Sequence, residues 1–316
     1  MKYECIIVGG GCSGMYTALY LKEKGVNGIL VLDMEEELGG ALNMIIETAA
    51  DFGRDGHTGV EIADDLKKQL ILHGIDYRVN TYVMAITKSK VLTVISPKGG
   101  VEELHADSVV IATGASERPR GILSFISDRS AGVYSVGTAR RFIVEKGYLS
   151  GRKVVIYGDD WTGLYLARIL KNEGAQEITV VDENRELNFP DDELKEYFKV
   201  FGIKTELGSF IREIEGQDRV TGVVIEKLSK KDGEEITKHI ECDTVLLSVG
   251  LSPSRQLFKR FKRDSAGAGA FVTGNAEDVT FHIRDIEKRA GKTAEQVYDY
   301  LAAKTANTPH EDKAPK

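Results

Sequence analysis

Residues Glu4–Gly14 read ECIIVGGGCSG. An apolar, β-prone run from Lys2 to Val8 stops on glycines, and apolar residues at helical spacing follow from Cys12 to Lys24. A second apolar run, Gly28–Leu32, completes a β-α-β unit, and Asp33 ends it. Gly9, Gly11 and Gly14 have G-x-G-x-x-G spacing between strand and helix. In such a turn the first glycine permits the tight reversal and the second lets backbone approach a pyrophosphate. The third lets helix and strand pack closely. The helix start offers unpaired N–H groups to an anion, and an acid at the position of Asp33 accepts ribose hydroxyls. The glycines alone fit any tight turn; strand, glycines, helix, strand and acid in order predict a dinucleotide site. Cys12 reads two ways, as a thiol activated by the helix N-terminus or as a small residue that fits.

The pattern restarts near Gly151. In VVIYGDDWTGLYLARIL, Val154–Leu170, a strand ends at Gly158 and a helix follows, predicted over Thr162–Glu173. QEITVVDE is the next strand, and Asp182 stands at the same interval from Gly163 as Asp33 does from Gly14. Gly158 and Gly163 keep the outer glycines, but Asp160 takes the middle place. A Cβ and a carboxylate there occupy the space a pyrophosphate needs, and Asp159 adds charge. Such an acid can instead accept the free N–H groups of the helix start. The expectation is a dinucleotide fold with impaired binding. If a nucleotide binds, Asp182 favours NAD over NADP, because a 2′-phosphate would face an acid.

The 316 residues suffice for two domains; 42% are hydrophobic and 29% charged, a globular balance. The net charge of -7 argues against nucleic acid or an anionic membrane as partner. The one basic cluster, LFKRFKRD at Leu257–Asp264, reads as a solvated loop or a small anion patch. No apolar run approaches the roughly 20 residues of a membrane span. The start shows no signal-peptide layout, so a cytoplasmic location is expected. Cys5, Cys12 and Cys242 form no C-x-x-C pair, which fits a reducing compartment and removes dithiol chemistry. The histidines, His57, His73 and His105 among them, show no metal-ligand spacing.

Further segments complete a set: ELGGALN (Glu37–Asn43), VVIATGA (Val109–Ala115), LLSVG (Leu246–Gly250) and FVTGN (Phe271–Asn275). With the first turn they resemble the thioredoxin-reductase-like flavoproteins. The implied fold is α/β, with two Rossmann-like dinucleotide-binding domains, the second inserted into a split FAD domain. The implied division is 1–115 and 249–303 for FAD, 116–248 for NAD(P), and a disordered tail at 304–316. ATGASERPRG, AGVYSVGTARRFIVEKGYLSGRKVVIYG and IECDTVLLSVGLSP resemble one branch more closely. That branch comprises FAD/NAD oxidoreductase subunits accompanying glycerol-3-phosphate or amino-acid dehydrogenase-like flavoproteins.

The resemblance implies FAD as cofactor. It assigns Gly9, Gly11, Cys12, Ser13 and Gly14 to the pyrophosphate and Asp33 to the adenosine ribose. Gly40, Ala41 and Asn43 would lie toward the flavin, Val83 against the adenine, and Ala112, Thr113 and Gly114 over the nucleotide. Gly274 and Asn275 would meet the flavin-side phosphate and ribitol. Asn275 stands where an aspartate is usual, so the contact loses its charge. The Pro253–Phe271 stretch is shorter than usual by roughly a hairpin and a strand. A weakened NAD(H) site is implied at Gly158, Asp160, Gly163 and Asp182, and a partner flavoprotein dehydrogenase is the implied companion; oligomeric state stays open. No general acid or base can be named. Glu117, Arg118 and Arg120 in SERPRG read as contacts to substrate, partner or nicotinamide, or as a salt-bridged hinge. The activity implied is a relay of reducing equivalents between flavin and a dinucleotide or the partner. The competing class is a non-catalytic flavin-binding scaffold with a degenerate second domain.

Overall fold

The computed structural model describes residues 2–48, 56–228, 235–260 and 268–306. They fall into two compact units, 1–116 with 253–316, and 117–252.

In the first unit β1 (Lys2–Val8) pairs in parallel with β2 (Ile29–Leu32) on one side. β2 pairs in turn with β3 (Asp76–Arg78). Helix α1 (Cys12–Glu23) links β1 to β2, and α2 (Gly59–Leu72) precedes β3. A capping box starts α2: Thr58 accepts from the Glu61 N–H, and the Glu61 carboxylate accepts from the Thr58 N–H. Cys5–Val8 and Ile29–Leu32 are buried throughout, as central parallel strands require.

β4 (Tyr82–Ile86), β5 (Val91–Ser96) and β6 (Gly100–Ile111) form an antiparallel meander. β6 serves two layers. Its first half pairs with β5; its second half runs parallel to β1 and to the strand Ala270–Val272. The meander covers one face of the parallel sheet, packing Val83, Ile86, Leu92, Val94 and Leu104 onto Ile6, Val8, Leu30 and Leu32. The helix Ile283–Ala306 packs beside α1, where Tyr20 donates to Glu287 at 3.0 Å. The C-terminal segment therefore belongs to the same sheet and helix layer as the N-terminus.

The second unit repeats this plan. Its parallel sheet has the order 204–207, 177–182, 153–157, 244–247, 133–135. The antiparallel strands Ser209–Glu215, Gly222–Lys227 and Thr237–Glu241 cover one face. Ile211, Ile214, Val223 and Ile225 meet Val155, Tyr157, Val181 and Val245 between the sheets.

Three details differ from the sequence reading. Residues 249–252 stay with the second unit, where Gly250 O accepts from the Arg118 N–H at 3.0 Å, and Ser116 stays with the first. The C-terminal helix continues through 304–306, the start of the expected tail, with Lys304 paired to Asp107; residues 307–316 lie outside the described residues. In the basic cluster, Leu257 and Phe258 pack against the core of the first unit, so its start is not a solvated loop; residues 261–267 lie outside the described residues.

In both units the helix after the first strand lies close because a glycine faces it. A Cβ on Gly14 would stand 1.9 Å from Gly9 O. Gly14→Ala should therefore cost about 2–4 kcal/mol, since two backbones must separate. That corresponds to roughly 5–15 °C in the thermal midpoint of the apoprotein. An unchanged midpoint would show that the packing relaxes freely.

Candidate functional site

The turn after β1 is shaped by what its glycines face. Gly9 has φ 110°, and a Cβ there would meet Ala112 O at 2.3 Å, so conformation and packing both demand glycine. Gly11 is different. Its φ of -75° suits any residue, and no protein atom would come closer than 3.9 Å to an added Cβ. The backbone of Gly39 and Gly40 forms the opposite wall. Neither strain nor packing requires glycine at 11; its missing side chain keeps open a cradle beside the α1 N-terminus. No side chain caps that terminus, and its first turn holds no acid. The helix dipole there favours an anion.

The neighbouring positions hold this cradle in place. Asp33 is buried; Oδ2 accepts from the Gly10 N–H at 2.6 Å and Oδ1 from the Glu35 N–H at 2.9 Å. Burial raises its pKa, and these backbone donors oppose the rise. Asn43 donates to Leu38 O at 3.1 Å and rests against Gly39, so its amide pins the loop. Gly40 and Ala41 open the short 3₁₀ turn Gly40–Met44. Val83 points into the core, and Thr81 N–H, at the entry to its strand, donates to Asp33 O at 2.8 Å. Ala112 N–H donates to Val8 O; Thr113 Oγ1 donates to Ser254 O, whose N–H donates to Gly114 O.

Gly274 has φ 61° and sits against Ser13, whose Oγ would lie 2.3 Å from an added Cβ. Asn275 forms a clasp: Nδ2 donates to Thr280 O and Oδ1 accepts from the Thr280 N–H, both at 3.0 Å.

The second turn has the same frame and a different centre. A Cβ on Gly158 would stand 1.9 Å from Ser248 O, and one on Gly163 would stand 2.3 Å from Ser248 Oγ. Asp160 is the N-cap of the helix Trp161–Asn172, and its Oδ1 accepts from the Thr162 N–H at 2.9 Å. Its pKa is raised, first by burial and further by Asp159 and Glu117; the Thr162 N–H opposes this. Asp159 accepts from the Asn188 N–H at 3.2 Å. Asp182 is buried, accepts from the Asn184 N–H at 2.6 Å, and has its pKa raised by burial and then by Asp159 and Glu183. The helix end that would bind a phosphate carries its own carboxylate and faces more acid.

Among the described residues Glu117 makes no ion pair, and its partners lie within the second unit. Its Oε1 accepts from the Gly137 N–H at 2.6 Å and its Oε2 from Ser135 Oγ at 2.5 Å, at the start of the helix Val136–Lys146. Arg120 lies over the Phe125 ring, 5.0 Å from its centroid. The reading from sequence missed Ser135 and Gly137 as partners of Glu117. A serine before a helix start was the one local signal. Cys5, Cys12 and Cys242 are buried thiols outside any disulfide, and burial pushes the Cys5 and Cys242 thiols up to about 12. At neutral pH these two are thiols, not nucleophiles. Among the described residues no cluster could hold a metal ion, and no helix is long and apolar enough to cross a membrane.

An open glycine cradle on one β-α-β unit and a repeat of that unit in a second define a two-dinucleotide-domain oxidoreductase. The profile of the pyridine nucleotide-disulphide oxidoreductase family matches residues 3–274, and the chain belongs to that family. It is similar to a ferredoxin–NADP reductase of Metallosphaera sedula, 28% identical over 87% of this chain and 81% of the relative. It is also similar to a thioredoxin reductase of Treponema pallidum, 23% identical over 84% and 82%. Its fold matches the thioredoxin reductase of T. acidophilum with a TM-score of 0.75 at 21% identity, covering 94% of this chain and 98% of that one. The protein is an FAD-dependent oxidoreductase of the pyridine-nucleotide type. The first turn fits FAD: its cradle is empty of protein where a Cβ would stand, its helix start is uncapped, and Asp33 is buried beside it.

Two outcomes follow from this geometry. Gly11→Glu should abolish flavin retention without unfolding the chain, because the carboxylate fills the cradle without displacing protein. A yellow, stoichiometric variant would remove FAD from this turn. Asp160→Asn keeps the cap and loses the charge. A raised acid pKa means that the ionised form is held at a cost. That cost is absent below the ordinary carboxylate range and present once pH rises through the raised value. The variant should therefore melt above the parent at pH 8, and the gap should close as pH falls toward 4. A gap that widens toward acid would reverse the sign assigned to Asp160.

Proposed function

We propose that this chain relays reducing equivalents between its flavin and a protein partner, with direct dinucleotide access suppressed at the second turn. The residues assigned to FAD are Gly9, Gly11, Cys12, Ser13, Gly14, Asp33, Gly40, Ala41, Asn43, Val83, Ala112–Gly114, Gly274 and Asn275. When bound, FAD supplies hydride and one-electron chemistry; the chain binds it, orients it and limits what else approaches. The observation that carries the reading is the contrast at the middle positions, Gly11 clear and Asp160 filled and capping its own helix.

Two facts support a protein partner over a disulfide relay. Cys5 and Cys242 are buried with raised pKa values, and the sequence has no C-x-x-C pair. The partner proposed is a flavoprotein dehydrogenase subunit, as the branch resemblance implies. Relatives named ferredoxin–NADP reductase support the same class of acceptor, a redox protein and not a thiol. For any dinucleotide that does enter, Asp182 favours NADH over NADPH.

Anaerobic titration with NADH tests the reading by following flavin bleaching. The parent should need millimolar NADH. Asp160→Gly should strengthen binding about tenfold or more if about 1.4 kcal/mol of repulsion is relieved, and added salt should shrink the gain. The cap lost with the aspartate costs only a few tenths of a kcal/mol when glycine replaces it. Micromolar NADH affinity in the parent, unchanged in Asp160→Gly, would contradict the proposal. Replacing all three cysteines should leave flavin reduction by dithionite and its reoxidation unchanged. Loss of reoxidation on replacing Cys12 alone would point to a thiol step.

A further inference from the structure

We propose that the first unit carries a further anion site, for the di- or triphosphate group of a small molecule, in a basic bowl at the far end of its sheet from the glycine cradle.

The cradle lies beyond Val8, where β1 ends. The bowl lies at Lys2, where β1 begins, so the seven residues of the strand set the two apart by roughly 20 Å. Its volume is about 480 Å³, the size of a small-molecule site. Four segments distant in sequence build it. Lys2 opens β1, Ser89 and Lys90 lie in the turn between β4 and β5, His105 and Asp107 lie in β6, and Lys304 comes from the last turn of the C-terminal helix. The fold, and not any one run of sequence, assembles the patch.

Charge and strain both point to a ligand. Three ammonium groups line the bowl against one carboxylate, a net charge of +2 in a chain of net charge -7. Asp107 accepts from Lys2 at 2.8 Å and also from Lys304, so a single acid gathers two lysines. Among the described residues Lys90 makes no ion pair. Its Nζ donates to neutral oxygens, Ala268 O at 3.1 Å and Tyr300 Oη at 3.5 Å, and lies 5.9 Å from the centroid of the Tyr300 ring. The backbone of Lys90 has φ 62°, the left-handed region that glycine and asparagine enter most readily. Backbone bonds fix it there: Lys90 N–H donates to Thr87 O at 3.0 Å, and Ala106 N–H donates to Lys90 O at 3.1 Å. Those bonds need no lysine side chain. A strained residue whose charged side chain lines a cavity marks a place where function holds the strain.

The same charges say which anion fits. A lone carboxylate would only repeat what Asp107 already supplies. An anion of two or more charges answers what Asp107 leaves over. Ammonium groups bind phosphoryl oxygens as compact point charges with three donors each, and His105 adds a ring N–H in either tautomer.

Calorimetric titration with inorganic pyrophosphate tests this, on protein saturated with FAD to keep the probe out of the glycine cradle. At about 0.05 M ionic strength, where screening is weak, the parent should bind one pyrophosphate more tightly than about 1 mM. Lys90→Asn suits the left-handed turn and should not melt below the parent. It should weaken binding about fivefold, the loss of one charge contact at about 4 Å in water. Lys88→Asn, in the same turn but outside the lining, should leave binding unchanged. Pyrophosphate should protect Lys90, and not Lys88, from acetylation by acetic anhydride. ADP should bind at least as tightly as pyrophosphate, and the Lys90→Asn variant should weaken it equally. No binding to the parent, affinity unchanged in Lys90→Asn, or Lys90 acetylated equally with and without pyrophosphate would overturn the site. Citrate bound as tightly as pyrophosphate would overturn the phosphate class, and ADP bound far more weakly would overturn the small molecule in favour of the inorganic ion. None of these results bears on FAD at the first turn or on the reading of the second.

Discussion

Everything in this chain depends on how closely a helix can approach a strand end. At Gly9 and Gly14, and again at Gly158 and Gly163, a Cβ would stand about 2 Å from backbone or side-chain atoms of the turn and the following crossover strand. Close approach aims each helix start at the space above the strand ends. The strand that follows then brings an acid, Asp33 or Asp182, to the rim. Once those outer glycines are in place, the middle residue alone decides what the space contains.

That single position separates the two units physically. At Gly11 no protein atom would come closer than 3.9 Å to an added Cβ, and no side chain caps the helix start. At Asp160 the dipole is answered by a covalently attached carboxylate, with Asp159 and Glu117 near enough to raise its pKa. Two like charges about 4 Å apart repel by about 4 kcal/mol at an effective dielectric near 20. A pyrophosphate arriving beside Asp160 would meet that repulsion and a filled volume together. The second unit keeps the architecture of a nucleotide domain because its core does not need the ligand: Ile211, Ile214, Val223 and Ile225 against Val155 and Val181 hold it.

Much of this was legible in the residues because it is local. β1 has the bounds read from its apolar run, and both glycine frames fall between strand and helix as spacing predicted. The helix Val136–Lys146 was not read from periodicity. Its apolar face is short, and its start is fixed by Glu117, which lies 18 residues before Ser135 in the chain. Asn275 was read as a weakened cofactor contact because identity alone suggests one; its clasp on Thr280 depends on how the loop returns. The division of the chain was read a few residues early at 248/249, since the bond from Arg118 N–H to Gly250 O is invisible to composition. Local rules expose turns and strands. Long-range hydrogen bonds decide which polar groups remain free to meet a ligand.

The central claim is that one of two equivalent turns binds a nucleotide and the other fills itself. Native mass spectrometry of the intact chain, mixed with equal concentrations of FAD and NADH at tens of micromolar, measures this directly. The account predicts a single dominant species, one chain carrying one FAD. A dominant species carrying both FAD and NADH would contradict it.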